Sequence, residues 1–225
     1  MSQTFQRARR PEQREVRRQA ILDVAEAMLA DEPTSEISLR EISRRVGLAT
    51  SNVLRYFDSR EAIFLELLAR ESTRWLDELE RELDEIEPGS GVAACQRVAG
   101  IWAATLAKRP TLCELWSVMS SVLERNVTVK TVRDFKRGAL ARNQRLADLI
   151  AQRIHGLGPD AAVEVASIAS TFIGGLWPLA NPGPNVVAAT EDPALLAAHV
   201  DFRARMERTL FLLLSAEILT DAAPA

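Results

Sequence analysis

Asn52, Arg55 and Tyr56 are the residues whose types and spacing most invite chemistry in this chain. Val53 and Phe57, four positions apart, would share one face of a short helix. Asn52, Arg55 and Tyr56 would then stand outward on the other side. An asparagine amide pairs bidentately with the edge of adenine in a major groove, and an arginine guanidinium with guanine. Thr50 and Ser51 lie just ahead, and either can cap the start of the helix. There their hydroxyls and the free backbone N–H groups suit phosphate oxygens.

Such a face needs a scaffold, and residues 38–60 (SLREISRRVGLATSNVLRYFDSR) supply one. Ser38 followed by Glu41 has the spacing of a capping box, which predicts a helix start. Leu39, Ile42 and Val46 recur at i, i+3 and i+7, an apolar stripe over two turns, and Arg40, Arg44 and Arg45 point away from it. Gly47 follows, where a left-handed backbone suits glycine. Two short helices joined by a glycine turn form a helix-turn-helix, with hydrogen-bond donors on the exposed face of the second. A solvated helical hairpin whose polar face touches nothing has the same spacing.

Residues 14–68 resemble the N-terminal domain of TetR-family transcriptional regulators. The likeness rests on ILDVAEAML, on SLREISRRVGLA, and on the run RYF-DSRE-AIF that ends in LELL. It covers about a quarter of the chain, while the remainder agrees in length and helical character. The resemblance implies that Arg60, where the family places a lysine, contacts a DNA phosphate. Two positions depart from the pattern. Leu54 stands where the family usually has a tyrosine that reaches phosphate, and Ala49 replaces the common Ser or Thr at the start of the recognition helix. Both remove polar contacts without disturbing the fold.

Composition sets the frame. The 225 residues are 47% hydrophobic with a net charge of −3, enough for a sizeable core and unlike a basic nucleic-acid coat. Residues 1–60 carry 11 Arg against 9 acidic residues, and residues 1–18 alone carry six Arg and two Glu. A basic front on an acidic body fits local contact with a polyanion; a solvated tail explains the first ten residues as well. Cys95, Cys113, His155 and His199 are too few and too scattered for a zinc site or a disulfide framework. Both cysteines fall in apolar helical stretches and read as core thiols. No cofactor is implied. The N-terminus lacks the apolar run of a signal peptide, so a cytoplasmic location is expected. Residues 165–190 hold no charge, yet prolines, glycines and asparagines interrupt them, and the apolar helical part is expected to stop short of the ~20 residues of a membrane span.

The remaining periodicity predicts an all-α chain. A first helix is expected over residues 12–30, with Ala20, Ile21, Val24, Ala25, Met28 and Leu29 inward and Arg14, Arg17 and Arg18 at its start. Pro33 marks a connecting loop before the helix-turn-helix. Asp58 or Ser59 should cap a long fourth helix reaching residue 86, which EPGSG closes. Helices follow over 92–107, 111–123, 129–154, 159–180 and 199–219. The division expected is a three-helix DNA-binding domain over 12–60 and a helical ligand-binding and dimerisation bundle over 61–220. Trp102, Trp116, Met119 and Phe135 are either plain core or the lining of a cavity for an apolar ligand. Asn143 falls on an inward stripe, where its amide needs a helix end, a water or a ligand.

The reading that results is a ligand-responsive, DNA-binding regulator acting as a homodimer. The resemblance implies dimerisation through the last two helices, a palindromic double-stranded operator, and an effector that moves the long fourth helix; repression is the usual outcome in the family. The candidate DNA contacts are Ser38, Arg40, Thr50, Ser51, Asn52, Arg55, Tyr56 and Arg60. The candidate effector contacts are Trp102, Trp116, Met119, Phe135 and Asn143, facing a small, largely apolar molecule. Catalysis finds no support, because no nucleophile–base arrangement, HExxH or P-loop is present. A binding module that keeps the helix-turn-helix only as scaffold is the rival reading, and Leu54 and Ala49 favour it.

Overall fold

The computed structural model describes residues 4–221, with side chains over 12–219. The chain is helical almost throughout, and its contacts divide it into two units: residues 1–68 with 119–135, and residues 69–118 with 136–225. This differs from a division at residue 60, because α4 (Arg60–Asp84) runs through the boundary.

In the first unit α1 spans Thr4–Asp31 and is followed by α2 (Leu39–Val46) and α3 (Thr50–Val53). Arg14, Arg17 and Arg18 therefore lie in the interior of α1, and its N-terminal dipole has no bearing on them. Ile21, Leu22, Ala25, Met28 and Leu29 are buried with Ile37, Ile42, Val53, Phe57, Phe64 and Leu67. Ala20 is exposed, so the inward face sits slightly round the helix from the expected one. Ser43 joins Ile42 in the buried face of α2, and its hydroxyl donates to Leu39 O at 2.7 Å.

The caps settle which residues start each helix. Ser38 Oγ accepts from Glu41 N at 3.1 Å, as its spacing predicts. Gly47 closes α2 at φ 74°, ψ 29°, and its N–H donates to Arg44 O. Ala49, rather than Thr50 or Ser51, occupies the N-cap of α3 without a side-chain bond; Asn52 N and Val53 N both donate to its carbonyl. Tighter turns then carry the chain to Phe57. Ser59 caps α4, accepting from Ala62 N at 3.2 Å. Asp58 is engaged elsewhere: the hydroxyls of Thr128 and Thr131 each donate to its Oδ2 at 2.5 Å. These two bonds fasten the 119–135 segment to the end of the helix-turn-helix and hold the Asp58 carboxyl below its usual pKa.

The second unit contains the rest of α4 with α5 (Gly91–Ala107), α6 (Pro110–Val118), most of α7 (Val129–Arg153), α8 (Pro159–Ala180), α9 (Pro184–Ala189) and α10 (Phe202–Asp221). A π-helical turn, Met119–Leu123, follows α6. The only sheet pairing among the described residues joins β1 (Gly89–Ser90) to β2 (Ile154–His155) in parallel. The helices pack α5 on α10, α6 on α8, and α8 on α10. Arg109 pairs with Glu78 at 2.6 Å, and Arg145 bridges Asp77 and Glu80 at 2.7 and 2.5 Å, so α4 is tied on two sides. Cys95 and Cys113 are fully buried, and burial pushes the Cys113 thiol up to about 12.

Two expectations change here. The helix α8 has 22 residues and a mean hydropathy of 1.3 over its most apolar window, so it is long and apolar enough to cross a membrane by length and composition. The prolines and glycines shape it without ending it: Pro159 enters at the first turn, where its missing N–H costs nothing, and Pro178 lies only in the last turn. Ala162, Val165, Ala166, Ala169, Ile173 and Leu176 are buried along one side, which is the pattern of a bundle helix. The segment expected to be a loop after it contains α9 and a 3-10 helix, Pro193–Ala198.

Candidate nucleic-acid interface

The exposed face of α3 follows from the burial of Val53 at 0% and Phe57 at 3% exposure. With those two side chains inward, Ser51, Asn52 and Arg55 are exposed and Thr50 and Tyr56 half-buried. Arg40 is exposed on α2. Asn52, Arg55 and Tyr56 line a cleft of about 510 Å³ with Leu48 and with Gln13, Arg14 and Arg17 of α1. Three guanidinium groups and two amides thus converge on one concave surface. Arg14 and Arg17 were legible only as a basic cluster ahead of an apolar face; the fold places them in the same cleft as Asn52 and Arg55.

Arg14, Arg18 and Arg60 brace the backbone around this surface. The guanidinium of Arg18 lies 4.4 Å from the Phe57 ring centre. Its Nη1 donates to Tyr56 O at 3.1 Å, its Nε donates to Glu66 Oε1 at 3.1 Å, and Nη2 pairs with the other Glu66 oxygen. Burial lowers its pKa, yet an arginine stays charged at any working pH. Arg18 therefore ties the carbonyl end of the recognition turn to α4. Arg14 adds a longer bond to Arg55 O, 3.4 Å, and lies 5.9 Å from the Tyr56 ring centre. Arg60 donates to Ile37 O at 2.7 Å and to Thr34 O at 3.4 Å, and it pairs with Glu61 at 2.9 Å. Its guanidinium braces the loop ahead of α2. Ser38 likewise spends its hydroxyl as an acceptor on the α2 cap.

Charge on α2 is arranged around Glu41. Arg44 and Arg45 both donate to its carboxylate, at distances from 2.6 to 2.9 Å, and hold its pKa down at about 2. Arg45 also reaches Glu32 at 2.7 Å.

The candidate effector residues fall in different parts of the fold. Trp102 and Trp116 join Trp75 in a cluster within the second unit, with ring centres 6.3 Å apart for Trp75–Trp102 and 5.9 Å for Trp75–Trp116. Trp75 Nε1 donates to Thr105 Oγ1 at 3.1 Å, whereas the buried Trp102 Nε1 has no hydrogen-bond partner. Asn143 is half-buried and donates to Val163 O at 3.3 Å. Met119 and the buried Phe135 group with the first unit.

Comparison with known proteins decides the family. The model for the tetracyclin repressor-like C-terminal domain matches residues 69–215, and that for bacterial regulatory proteins of the tetR family matches residues 21–67. The chain belongs to the TetR family. A relative named as an HTH-type transcriptional regulator in Mycobacterium tuberculosis is 31% identical over 108 residues, and another in Mycobacterium bovis matches equally. That match covers 47% of this chain and 46% of the relative, so the chain spans about half the length of the curated relatives it matches. Among solved structures, a TetR transcriptional regulator from Rhodococcus shares the fold at TM-score 0.57 and 17% identity, over 90% of this chain and 97% of that one. The fatty acid degradation regulator FadR of Bacillus halodurans aligns at TM-score 0.52 and 14% identity, over 88% and 94%. At such identities the likeness is one of fold. It agrees with the all-α architecture and N-terminal helix-turn-helix read from the sequence.

Proposed function

We propose that this TetR-family chain is a ligand-responsive transcriptional regulator, acting as a repressor, whose homodimer reads a palindromic operator from the cytoplasm. The observation that carries the reading is the cleft over α3, where Arg14, Arg17 and Arg55 converge with Asn52 and Tyr56. Asn52 and Arg55 read base edges, while Arg14, Arg17, Arg40, Thr50 and Ser51 contact phosphates. Ser38 and Arg60 support the frame that presents them. Two-fold symmetry of the protein demands dyad symmetry of the DNA. The dimer forms through α8 and α10. Ile168 and Leu179 on α8 and Leu212 and Leu219 on α10 are exposed at 40%, 64%, 50% and 67%, and apolar stripes of that kind call for a cover.

The effector is a small, largely apolar molecule received in the second unit around Trp102 and Trp116. The unpartnered Trp102 Nε1 supports this, since buried polar groups normally find a partner and an acceptor on the ligand would provide one. The fold neighbour FadR of Bacillus halodurans is named a regulator of fatty acid degradation, a process with apolar substrates. The effector acts through unequal affinity for two states, with α4, shared by both units, as the connecting element.

The deciding experiment measures binding to labelled DNA from the upstream region of its own gene, at two salt concentrations and with nonspecific competitor. Competitor-resistant binding to a dyad-symmetric site, weaker at the higher salt, is the expected result. Absence of any preference, with and without apolar ligands, would favour the scaffold reading. Leu54 is the observation behind that rival, an exposed apolar side chain at 47% on the DNA-facing turn.

A further inference from the structure

The least covered part of the second unit lies between α8 and α10. Every residue from 183 to 199 is exposed except Thr190. The segment is nevertheless built. Gly183 O accepts from Val186 N and Val187 N at 3.0 and 3.1 Å, and Thr190 Oγ1 donates to Val186 O and Val187 O at 3.0 Å. Asp192 Oδ1 caps the 3-10 turn by accepting from Ala194 N at 2.9 Å. Pro184 and Pro193 stiffen the starts of the two short helices. Its backbone is thus satisfied locally while its apolar side chains are not: Val186, Val187, Leu195 and Leu196 are 52%, 49%, 45% and 58% exposed.

Those four do not stand alone. Among the described residues, fourteen large apolar side chains are exposed, and eight of them lie on α8, this segment and α10. The segment thereby continues the apolar surface proposed above as the dimer face. Charge points the same way. Glu191 and Asp192 are the only charged residues from 181 to 200, apart from a histidine at 199, while α10 presents Arg203, Arg205 and Arg208 outward.

We propose that residues 182–200 form an arm that closes over the α8 and α10 face of a second copy of this chain. Val186, Val187, Leu195 and Leu196 cover apolar surface there, and Glu191 and Asp192 meet the arginines of the second copy's α10. Two-fold symmetry makes the exchange reciprocal, so each arm is matched by the other. The arm adds a grip outside the helix pair, and its contribution rests on the homodimer reading above.

Sedimentation equilibrium of the full chain tests this. The wild-type chain is expected to be a dimer. The double variant Val187→Asp/Leu196→Asp places two carboxylates in the covered surface and should weaken dimerisation roughly ten-fold or more, with helicity by circular dichroism unchanged. Glu191→Arg/Asp192→Arg should weaken it too, and adding Arg205→Glu/Arg208→Glu should restore much of the loss, which a purely structural effect would not. A wild-type dimer whose dissociation constant is the same in all arm variants overturns the proposal and leaves the arm to another occupant. A wild-type chain that stays monomeric at every concentration overturns the homodimer reading, and the arm with it.

Discussion

Replacing Arg18 with methionine separates holding the reading surface from touching DNA. The methionine keeps a flexible apolar stem on Phe57 but loses the donor to Tyr56 O and the pair with Glu66. A charge-assisted bond contributes about 1.5–3 kcal/mol when well buried. The Arg18 and Glu66 side chains are 30% and 34% exposed, so water replaces part of that and the low end applies. The ion pair adds about 0.5 kcal/mol at this exposure, and the guanidinium over the Phe57 ring adds about 0.5–1 kcal/mol. Offset by the packing that methionine retains, the turn loses about 2 kcal/mol of restraint. That bounds the fall in DNA affinity at about thirty-fold, through a smaller competent fraction. The assay is fluorescence anisotropy with operator DNA across a salt series. Because Arg18 points at protein oxygens, the slope of log affinity against log salt should match wild type. In the parallel variant Arg17→Ala, a cleft residue, the slope should fall by about one. A slope reduced in Arg18→Met as much as in Arg17→Ala would refute the reasoning, because it would make Arg18 a phosphate contact.

The other expected outcomes concern the same unit. Asn52→Ala or Arg55→Ala should relax sequence preference by roughly 1–3 kcal/mol at the affected base pair, read by competition with operators altered one position at a time. Arg60→Ala should weaken binding to all sequences alike with little change in salt slope, because its guanidinium is engaged by Ile37 O, Thr34 O and Glu61. The Glu41 carboxylate has its folded pKa depressed to about 2 by the Arg44 and Arg45 bonds. Its contribution to stability is therefore present above the ordinary carboxylate pKa and lost as pH falls through about 2. Glu41→Gln should decline less steeply than wild type over that window in an acid titration followed by circular dichroism.

The parts of this fold legible in the sequence are those governed by short-range rules. Gly47 announced a left-handed turn, Ser38 a cap, and Val53 with Phe57 an inward pair, and each depends on neighbours within four residues. The outward set Asn52, Arg55 and Tyr56 followed from the inward pair by exclusion. The cap of α3 is not legible in the sequence, because Ala49 has no side-chain acceptor to mark it while the neighbouring Thr50 and Ser51 carry hydroxyls suited to a cap. The role of α1 was legible only in part. Its basic cluster was visible, but whether Arg14 and Arg17 face the cleft while Arg18 turns to Glu66 depends on packing between residues 48 apart.

The division of the chain shows the same limit at larger scale. Helix periodicity marks which face of a helix is apolar, and it is silent on which neighbours a continuous helix serves. Thus α4 contributes Phe64 and Leu67 to one core and Trp75 and Leu79 to the other without any break in its stripe. The 119–135 segment joins the DNA-binding unit through Asp58, whose carboxylate engages two threonine hydroxyls about seventy positions away. As a helix cap, Asp58 would have bonded within three residues, and Ser59 takes that place instead. Freed from capping, Asp58 fixes the start of α7 to the end of the reading turn. The two threonines thus bond the residue next to Phe57, whose burial leaves Asn52 and Arg55 facing outward.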